Sequence, residues 1–166
     1  WRLTVHDRPC QDDFEASYGE WHRLGGPDGA ALLLDRTAPA AGGASLRLLN
    51  QRIGGTAGAW ISKTPFRLDA FPALSFLARI PAGVETNLIV IANQRTFEIG
   101  LTGADTAWPK IGQADAFRQD GSWQQVDIPL AAWLQPRLSG QPVVVEALAL
   151  ADSRRMSSYQ RQAFWI

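Results

Sequence analysis

Few residues of this 166-residue chain have the types and spacing that catalysis needs. Its two histidines, His6 and His22, lie far apart, and neither stands in the spacing of a metal site or a catalytic triad. His22 follows Glu20 closely enough for a general base with an orienting carboxylate, but such neighbours are common on protein surfaces. The sequence has no G-x-S-x-G elbow, Walker loop or dinucleotide-binding glycine motif. The histidines therefore predict no catalytic site.

Carboxylates are the better candidates for chemistry, because glycoside hydrolysis uses two of them across a cleft. Three acidic residues crowd the first predicted strand and three more lie on separate strands: Asp12, Asp13 and Glu15, then Glu98, Asp127 and Glu146. Nothing in the sequence pairs any two of them uniquely. Carboxylates scattered over strands are typical of a solvated sheet face. We therefore expect no enzyme.

Composition limits the size of the fold and the class of partner. Sixteen basic and sixteen acidic residues give zero net charge, whereas nucleic-acid binding needs a surplus of Lys and Arg. The length allows one domain, and no apolar run reaches the roughly 20 residues of a membrane-spanning helix. Cys10 is the only cysteine, so no internal disulfide can form. The unusual count is seven tryptophans.

Short apolar or alternating segments recur between Gly- and Pro-rich turns, which favours an all-β sandwich or jelly roll. The predicted strands lie near residues 13–16, 21–24, 31–34, 45–50, 59–64, 74–79, 87–92, 96–101, 114–117, 124–128, 143–151 and 162–166. Only the segment 130–134, after Pro129, predicts a helical turn. Residues 93–95 separate two strong strands and predict a tight hairpin.

Alternation with period two assigns the faces of these strands. It places Leu46 inward and Arg47 outward on one strand, and Phe97 inward and Glu98 outward on another. The segment 87–92 is largely apolar on both faces, which predicts a central strand covered on both sides.

Five segments, in the correct order, resemble jelly-roll domains of the galactose-binding-like superfamily of carbohydrate-binding modules. They are Asp12-Asp13-Phe14-Glu15 with Trp21, Gly42–Leu48, Phe71–Phe76, Gly121–Leu130 and Phe164–Ile166. The resemblance covers residues 11–166 and implies a β-sandwich jelly roll of two antiparallel sheets with at most one short helix. Residues 1–9 resemble the closing strand of a bacterial immunoglobulin-like repeat, so we expect residues 1–10 to be a linker or the last strand of a preceding domain. The alternative is that they form the first strand of the present domain.

The resemblance implies sugar binding by aromatic platforms with planar polar side chains around them. Four tryptophans match structural or buried positions, namely Trp21, Trp123, Trp133 and Trp165. Trp1 belongs to the segment 1–10, which leaves Trp60 and Trp108 as candidate platforms. The expected polar contacts come from Asn93, Gln94, Arg95 and Glu98, with Arg47 and Arg79 on neighbouring strands.

Many modules of this superfamily carry a structural calcium ion near the first and last strands. Calcium takes six to eight oxygen ligands. Asp13 and Glu15 match the acidic positions of that site, but the matching acid after Ile166 is missing. A structural calcium ion is therefore the one cofactor that the resemblance implies.

Together these features predict a non-catalytic carbohydrate-binding or accessory module of a larger exported bacterial protein. We expect carbohydrate and neighbouring domains of the same polypeptide as partners, and an extracellular, periplasmic or cell-surface location. The alternative is a structural or protein-interaction β-sandwich domain with no sugar ligand. A small jelly-roll hydrolase or lyase is the third hypothesis.

Overall fold

The computed structural model describes residues 12–24, 29–51, 58–103, 106–139, 141–151 and 162–166. The prediction for residues 1–10 lies outside this part of the chain. The described strands are β1 (His22–Arg23), β2 (Ala30–Asp35), β3 (Ser45–Asn50), β4 (Gly58–Ser62), β5 (Phe66–Arg67), β6 (Leu74–Arg79), β7 (Asn87–Ala92), β8 (Arg95–Gly100), β9 (Lys110–Gln113), β10 (Trp123–Ile128), β11 (Val144–Ala151) and β12 (Ala163–Trp165).

The strands form two sheets. The first sheet has the order β1-β4-β11-β7-β8-β9, with β5 also paired to β11, and the second has the order β10-β6-β12-β3-β2. Every described pair is antiparallel except β8 with β9, which is parallel. The predicted all-β sandwich is confirmed, and the parallel pair is the one departure from two purely antiparallel sheets.

The core lies between the sheets and follows the predicted alternation. Leu46 and Phe97 are almost fully buried in it, while Arg47 lies on the outer face of the second sheet. Strand β7 is central in the first sheet, between β11 and β8. Its inner residue Leu88 belongs to the core and its outer residue Ile89 is also buried, so the strand is covered on both sides, as predicted.

Two predicted strands are wrong. Residues 13–16 are not a strand, because Phe14 has a φ of 58° and turns the chain out of the extended conformation. Residues 114–117 are also not a strand; the chain pairs earlier, as β9, where Gly112 leaves room for the Trp133 ring. A Cβ atom on Gly112 would lie 2.3 Å from that ring.

The predicted helical turn is confirmed as α1 (Leu130–Leu134), followed by a 3₁₀ turn at Gln135–Arg137. Leu130 and Leu134 lie four residues apart, so they share one face of the helix, and that face is buried in the core. Neither described helix is long or apolar enough to cross a bilayer.

Candidate functional site

One row of residues crosses the outer face of the first sheet from edge to edge. The strand registers place its members directly opposite one another in the order His22, Trp60, Ala149, Ile89, Glu98 and Lys110. We call this set the crossing row. It contains one of the two predicted platforms and the predicted polar residue Glu98.

The middle of the crossing row is an apolar floor. Ile89, Ala149 and Ala151 form a small buried cluster of their own, with Leu24 and Trp60 packed against it. These residues alternate with core residues along their strands, so they face away from the sandwich interior. Ile89, Ala149 and Ala151 are 5%, 1% and 2% exposed, so a ligand on this row would contact mainly the residues at the sides of the floor.

Trp60 stands at one side of this floor, on β4. It is half-buried, and the Lys63 ammonium lies 4.9 Å from the centroid of its ring. Such a cation–π contact is worth about 0.5–1 kcal/mol at an exposed site. Because Lys63 is exposed, its side chain can move away and free the ring face for a ligand.

Glu98 holds a loop at the other side of the floor. Its side chain is 0% exposed, and one carboxylate oxygen, Oε1, accepts a hydrogen bond from Asn87 Nδ2 at 2.8 Å. The other oxygen, Oε2, accepts the backbone N–H groups of Ala107 at 3.0 Å and Trp108 at 3.4 Å. The prediction that Glu98 contacts a ligand is therefore corrected: its carboxylate is enclosed and anchors the Trp108 loop.

Asn87 completes this anchor, and the sequence reasoning missed it. Its Oδ1 accepts the N–H groups of Leu101 at 2.9 Å and Gly103 at 3.0 Å. A Cβ atom on Gly103 would lie 2.7 Å from Asn87 Nδ2, so a glycine is needed for this close approach. The available signal was an asparagine at the start of an otherwise apolar central strand, where a buried amide needs partners.

The anchor brings the backbone of the second platform, Trp108, to the row that carries the first. Trp108 is 36% exposed, and its backbone N–H donates to Glu98 on β8. Strand β8 lies three strands away from β4, which carries Trp60. At about 4.8 Å per strand, the two sides are roughly 14 Å apart. The arrangement is an apolar floor with a tryptophan on each side.

The predicted polar residues of the hairpin lie elsewhere. Asn93 and Gln94 form the two-residue turn between β7 and β8, with φ values of 46° and 61°. Both values lie in the left-handed region that tight hairpin turns require, so the predicted hairpin is confirmed. Asn93 lies four positions after Ile89, and four steps along a strand span about 13 Å.

The hairpin residues are engaged in local bonds. Asn93 bridges Pro142 O and Val144 N, at 3.1 and 2.9 Å, and the Gln94 N–H donates to Glu146. Arg95 donates to Arg137 O at 3.2 Å and its guanidinium stacks over Phe97. The structure therefore places Trp60, Glu98 and the Trp108 loop on one row. Asn93 and Gln94 lie apart from this row and line a separate shallow depression.

Arg47 and Arg79 do not lie near the platforms, because β3 and β6 belong to the second sheet. There they flank Trp165, with guanidinium carbons 5.4 and 4.8 Å from its ring centroid. The Trp165 Nε1–H donates to Asp35 at 2.7 Å. The Thr37 hydroxyl and amide, with this indole, lower the pKa of Asp35 to about 2.

The predicted calcium ligands sit in the segment before β1. The Asp13 carboxylate accepts the Glu15 N–H at 3.1 Å, and the Glu15 carboxylate accepts the Gly43 N–H. Within the described ranges, no three His, Cys, Asp or Glu side chains come together as a metal site. Calcium also takes backbone carbonyls and waters, so these two carboxylates would form only part of its ligand set, and the calcium ion stays a prediction.

Two of the carboxylates offered for glycoside hydrolysis, Glu98 and Asp127, lie on different sheets. Glu98 is enclosed on the outer face of the first sheet, and Asp127 lies on the outer face of the second. Bonds from Ser75 and Gln125 lower the pKa of Asp127 below its ordinary value. The two groups lie on opposite sides of the sandwich, so they cannot act on one glycosidic bond.

Comparison with known proteins identifies similar structures. No protein-family model matches the sequence, and no curated protein matches it. The family 30 carbohydrate-binding module of the Clostridium thermocellum cellulosomal cellulase Cel9D-Cel44B matches with a TM-score of 0.50 and 19% identity, over 89% of this chain and 82% of that one. The C-terminal family 22 module of Clostridium thermocellum Xyn10B matches with a TM-score of 0.42 and 18% identity, over 93% and 86%. The likeness to the family 30 module confirms the all-β jelly-roll fold predicted from the sequence motifs.

Proposed function

We propose that this chain is a non-catalytic module that binds a carbohydrate chain across the outer face of its first sheet. One observation carries the proposal: Trp60 and the Glu98-anchored Trp108 loop stand on the same crossing row, on either side of an apolar floor. An indole face packs against the apolar C–H face of a pyranose ring, and polar groups at the rim bond to its hydroxyls.

The dimensions of the site favour an extended ligand. A floor of roughly 14 Å between the two tryptophans is longer than one sugar ring, so a chain of sugars lying across the strands can contact both sides. We expect micromolar or weaker affinity, because the floor residues Ile89 and Ala149 are already buried and few side chains remain to contact a ligand.

Structural likeness supports the same function. The family 30 structure is described as a carbohydrate-binding module of a cellulosomal cellulase, and its fold matches this chain. By extension, we propose that the chain serves as an accessory module beside other domains in an exported bacterial protein.

The test is binding to a panel of soluble plant and bacterial glycans by affinity electrophoresis and calorimetry. The exposed 36% of Trp108 represents about 90 Å², which at about 25 cal/mol per Å² sets an upper limit of about 2 kcal/mol. Partial covering by a sugar then predicts a roughly 5- to 30-fold loss of affinity in Trp108→Ala.

Trp123→Ala is the matched control, because Trp123 is a half-buried tryptophan on the outer face of the other sheet. It should leave glycan affinity unchanged once the variant is shown to be folded. Equal affinity of Trp108→Ala and the wild type would place the ligand away from this row and overturn the proposal.

A structural or protein-interaction role is the second candidate, and one observation favours it. Leu33 and Leu77 are 41% and 37% exposed on the outer face of the second sheet, where a neighbouring domain can cover them. Failure to bind any glycan, together with protection of these leucines in a longer polypeptide, would support this role.

We also propose to test calcium directly, because Asp13 and Glu15 contribute two of its required ligands. A rise in the melting temperature with calcium, reversed by EDTA and absent in Asp13→Asn, would establish the ion. Identical melting in both conditions would exclude it.

A further inference from the structure

A second row of side chains lies on the outer face of the second sheet. The strand registers place its members opposite one another in the order Arg79, Trp165, Arg47 and Leu33, on β6, β12, β3 and β2. We call this set the guanidinium row. It lies on the other side of the sandwich from the crossing row, and the proposed glycan site does not use it.

The indole of Trp165 holds both guanidinium groups of this row. Their central carbons lie 5.4 Å (Arg47) and 4.8 Å (Arg79) from the centroid of its ring. A guanidinium stacked on a ring has one face covered, while the N–H groups at its edge stay available as donors. Arg79 is also fixed by its Nε–H, which donates to Gly121 O at 2.9 Å. Both groups are therefore positioned before a ligand arrives, which lowers the entropy cost of binding.

The terminal nitrogens of the two arginines, Nη1 and Nη2, have no partner. Within the described part of the chain they make no hydrogen bond, and neither arginine forms an ion pair. Only one nitrogen of the two side chains, Arg47 Nε, is enclosed without a partner. The terminal nitrogens are therefore open to solvent, and they are the donors that a ligand can reach.

The charge near the guanidinium row is positive. Among the described carboxylates on this face, Asp35 acts electrostatically on Arg47, but its oxygens accept the Thr37 hydroxyl and amide and the Trp165 indole. Asp127 lies on the edge strand β10 and is already bonded to neighbouring side chains. Two guanidinium groups thus face one nearby carboxylate, and an anionic ligand would complete the balance.

The spacing of the two arginines limits the shape of the ligand. Both guanidinium carbons contact one ring, and two strand spacings separate β3 from β6, so these carbons lie about 10 Å apart or less. A guanidinium fork binds one carboxylate or sulfate group, so a ligand with two acid groups within this distance can engage both arginines. Leu33 and Leu77, 41% and 37% exposed, offer apolar surface beside Arg47 and Arg79.

We infer that the guanidinium row binds an acidic glycan, a chain whose sugars carry carboxylate or sulfate groups. One acid group accepts from the terminal nitrogens of Arg47 and another from those of Arg79, while the apolar C–H faces of the sugars pack against Leu33 and Leu77. The choice of a sugar as the carrier rests on the proposed function. The preference for an anion rests on the two arginines alone.

The test is calorimetry on the whole chain at low ionic strength. Trigalacturonate is the probe, and galactotriose is its neutral counterpart. We expect trigalacturonate to bind more tightly than galactotriose, and added salt to weaken its binding by screening. Monomeric galacturonate should bind more weakly than the trimer, because it engages one arginine at a time. Dextran sulfate, compared with dextran, distinguishes sulfate from carboxylate as the preferred acid group.

Variants locate the site. Arg47→Gln and Arg79→Gln should each weaken trigalacturonate binding about fivefold, the value of a good exposed ion pair. Arg95→Gln is the matched control, because Arg95 also stacks on an aromatic ring, that of Phe97, but belongs to the first sheet. It should leave trigalacturonate affinity unchanged. Trp108→Ala should also leave it unchanged, which separates this site from the crossing row.

Several results would overturn the inference. Equal affinity for trigalacturonate and galactotriose would remove the role of the acid groups, and this comparison on the wild-type chain does not depend on a variant folding. Unchanged affinity in both arginine variants would place the anion elsewhere. Hexaglutamate binding more tightly than trigalacturonate would indicate an acidic peptide instead of a glycan. Arginine-dependent binding of trigalacturonate, with no effect of Trp108→Ala on any neutral glycan, would overturn the proposed function and leave this inference standing.

Discussion

Replacing Glu98 by Gln tests the central element of the site, the anchor of the Trp108 loop. Each carboxylate oxygen of Glu98 accepts a different donor: Asn87 Nδ2 on Oε1, and the Ala107 N–H on Oε2. A glutamine has one acceptor oxygen and one amide NH₂, so one of these donors must face another donor. Rotating the Asn87 amide does not help, because its Oδ1 already accepts from Leu101 and Gly103.

The cost of this change is one unsatisfied buried donor, about 1–3 kcal/mol. For a domain of this size each 1 kcal/mol lowers the melting temperature by about 2–4 °C, so we expect a fall of roughly 2–12 °C in Glu98→Gln. Because the mismatch loosens the loop that carries Trp108, the amide of Ala107 should exchange its hydrogen faster and glycan affinity should fall.

Calorimetric melting, amide hydrogen exchange and glycan binding measure these effects. Asp127→Asn is the control, since it makes the same chemical change at an exposed carboxylate bonded to Ser75 and Gln125. Surface changes of this kind are usually within about 0.5 kcal/mol. A Glu98→Gln protein that melts like Asp127→Asn and keeps its Ala107 protection would refute the reasoning.

Three further predictions concern other contacts. Lys63→Ala frees the ring face of Trp60 and should strengthen binding of a neutral glycan about two- to fivefold, the value of the lost cation–π contact. The pKa of Asp35 is about 2 in the folded chain, below its value in the unfolded chain, so ionised Asp35 stabilises the fold and this stabilisation is lost as pH falls from about 4 toward 2. Asp35→Asn should abolish this part of the pH dependence of the free energy of unfolding. Gly42→Ala should destabilise the fold by more than about 1 kcal/mol, because its φ is +66° and a Cβ would lie 2.1 Å from Glu15 Oε1.

Each of these three predictions has an outcome that would contradict it. Weaker glycan binding by Lys63→Ala would show that the ammonium contacts the ligand instead of covering the ring. For Asp35, an unchanged pH-dependence of unfolding in the Asn variant would contradict the bonds from Thr37 and Trp165. For Gly42, the comparison is Gly83→Ala, with a φ of +80° and no atom within 4 Å of the Cβ; equal losses in both would mean that Glu15 makes no difference.

The strand positions were predictable where alternation was strong. Strands β3, β6 and β7 coincide with the predicted segments, because inward residues recur every second position and turns of Gly or Pro bound them. Strand β9 was not predictable: its sequence Lys-Ile-Gly-Gln has no alternating apolar pattern, and it forms only because β8 supplies a parallel partner.

The site was predictable in part. Periodicity placed Glu98 on an outer face correctly, but its burial depends on the loop that folds back over it, which no local pattern reveals. Periodicity also gives the face of Arg47 and Arg79 but not the sheet to which their strands belong. Sheet membership is decided by pairing between distant segments, so these arginines were expected near the wrong surface.

The position of β12 has a consequence for how the molecule folds. This three-residue strand lies in the middle of the second sheet, with β3 and β2 on one side and β6 and β10 on the other. The two halves of the sheet thus remain separate antiparallel pairs until residues 163–165 arrive, more than a hundred positions after β3. Such distant pairing makes folding slow, on a scale of milliseconds to seconds. A transient loss of β12 would expose two bare strand edges at once, each able to pair with another chain.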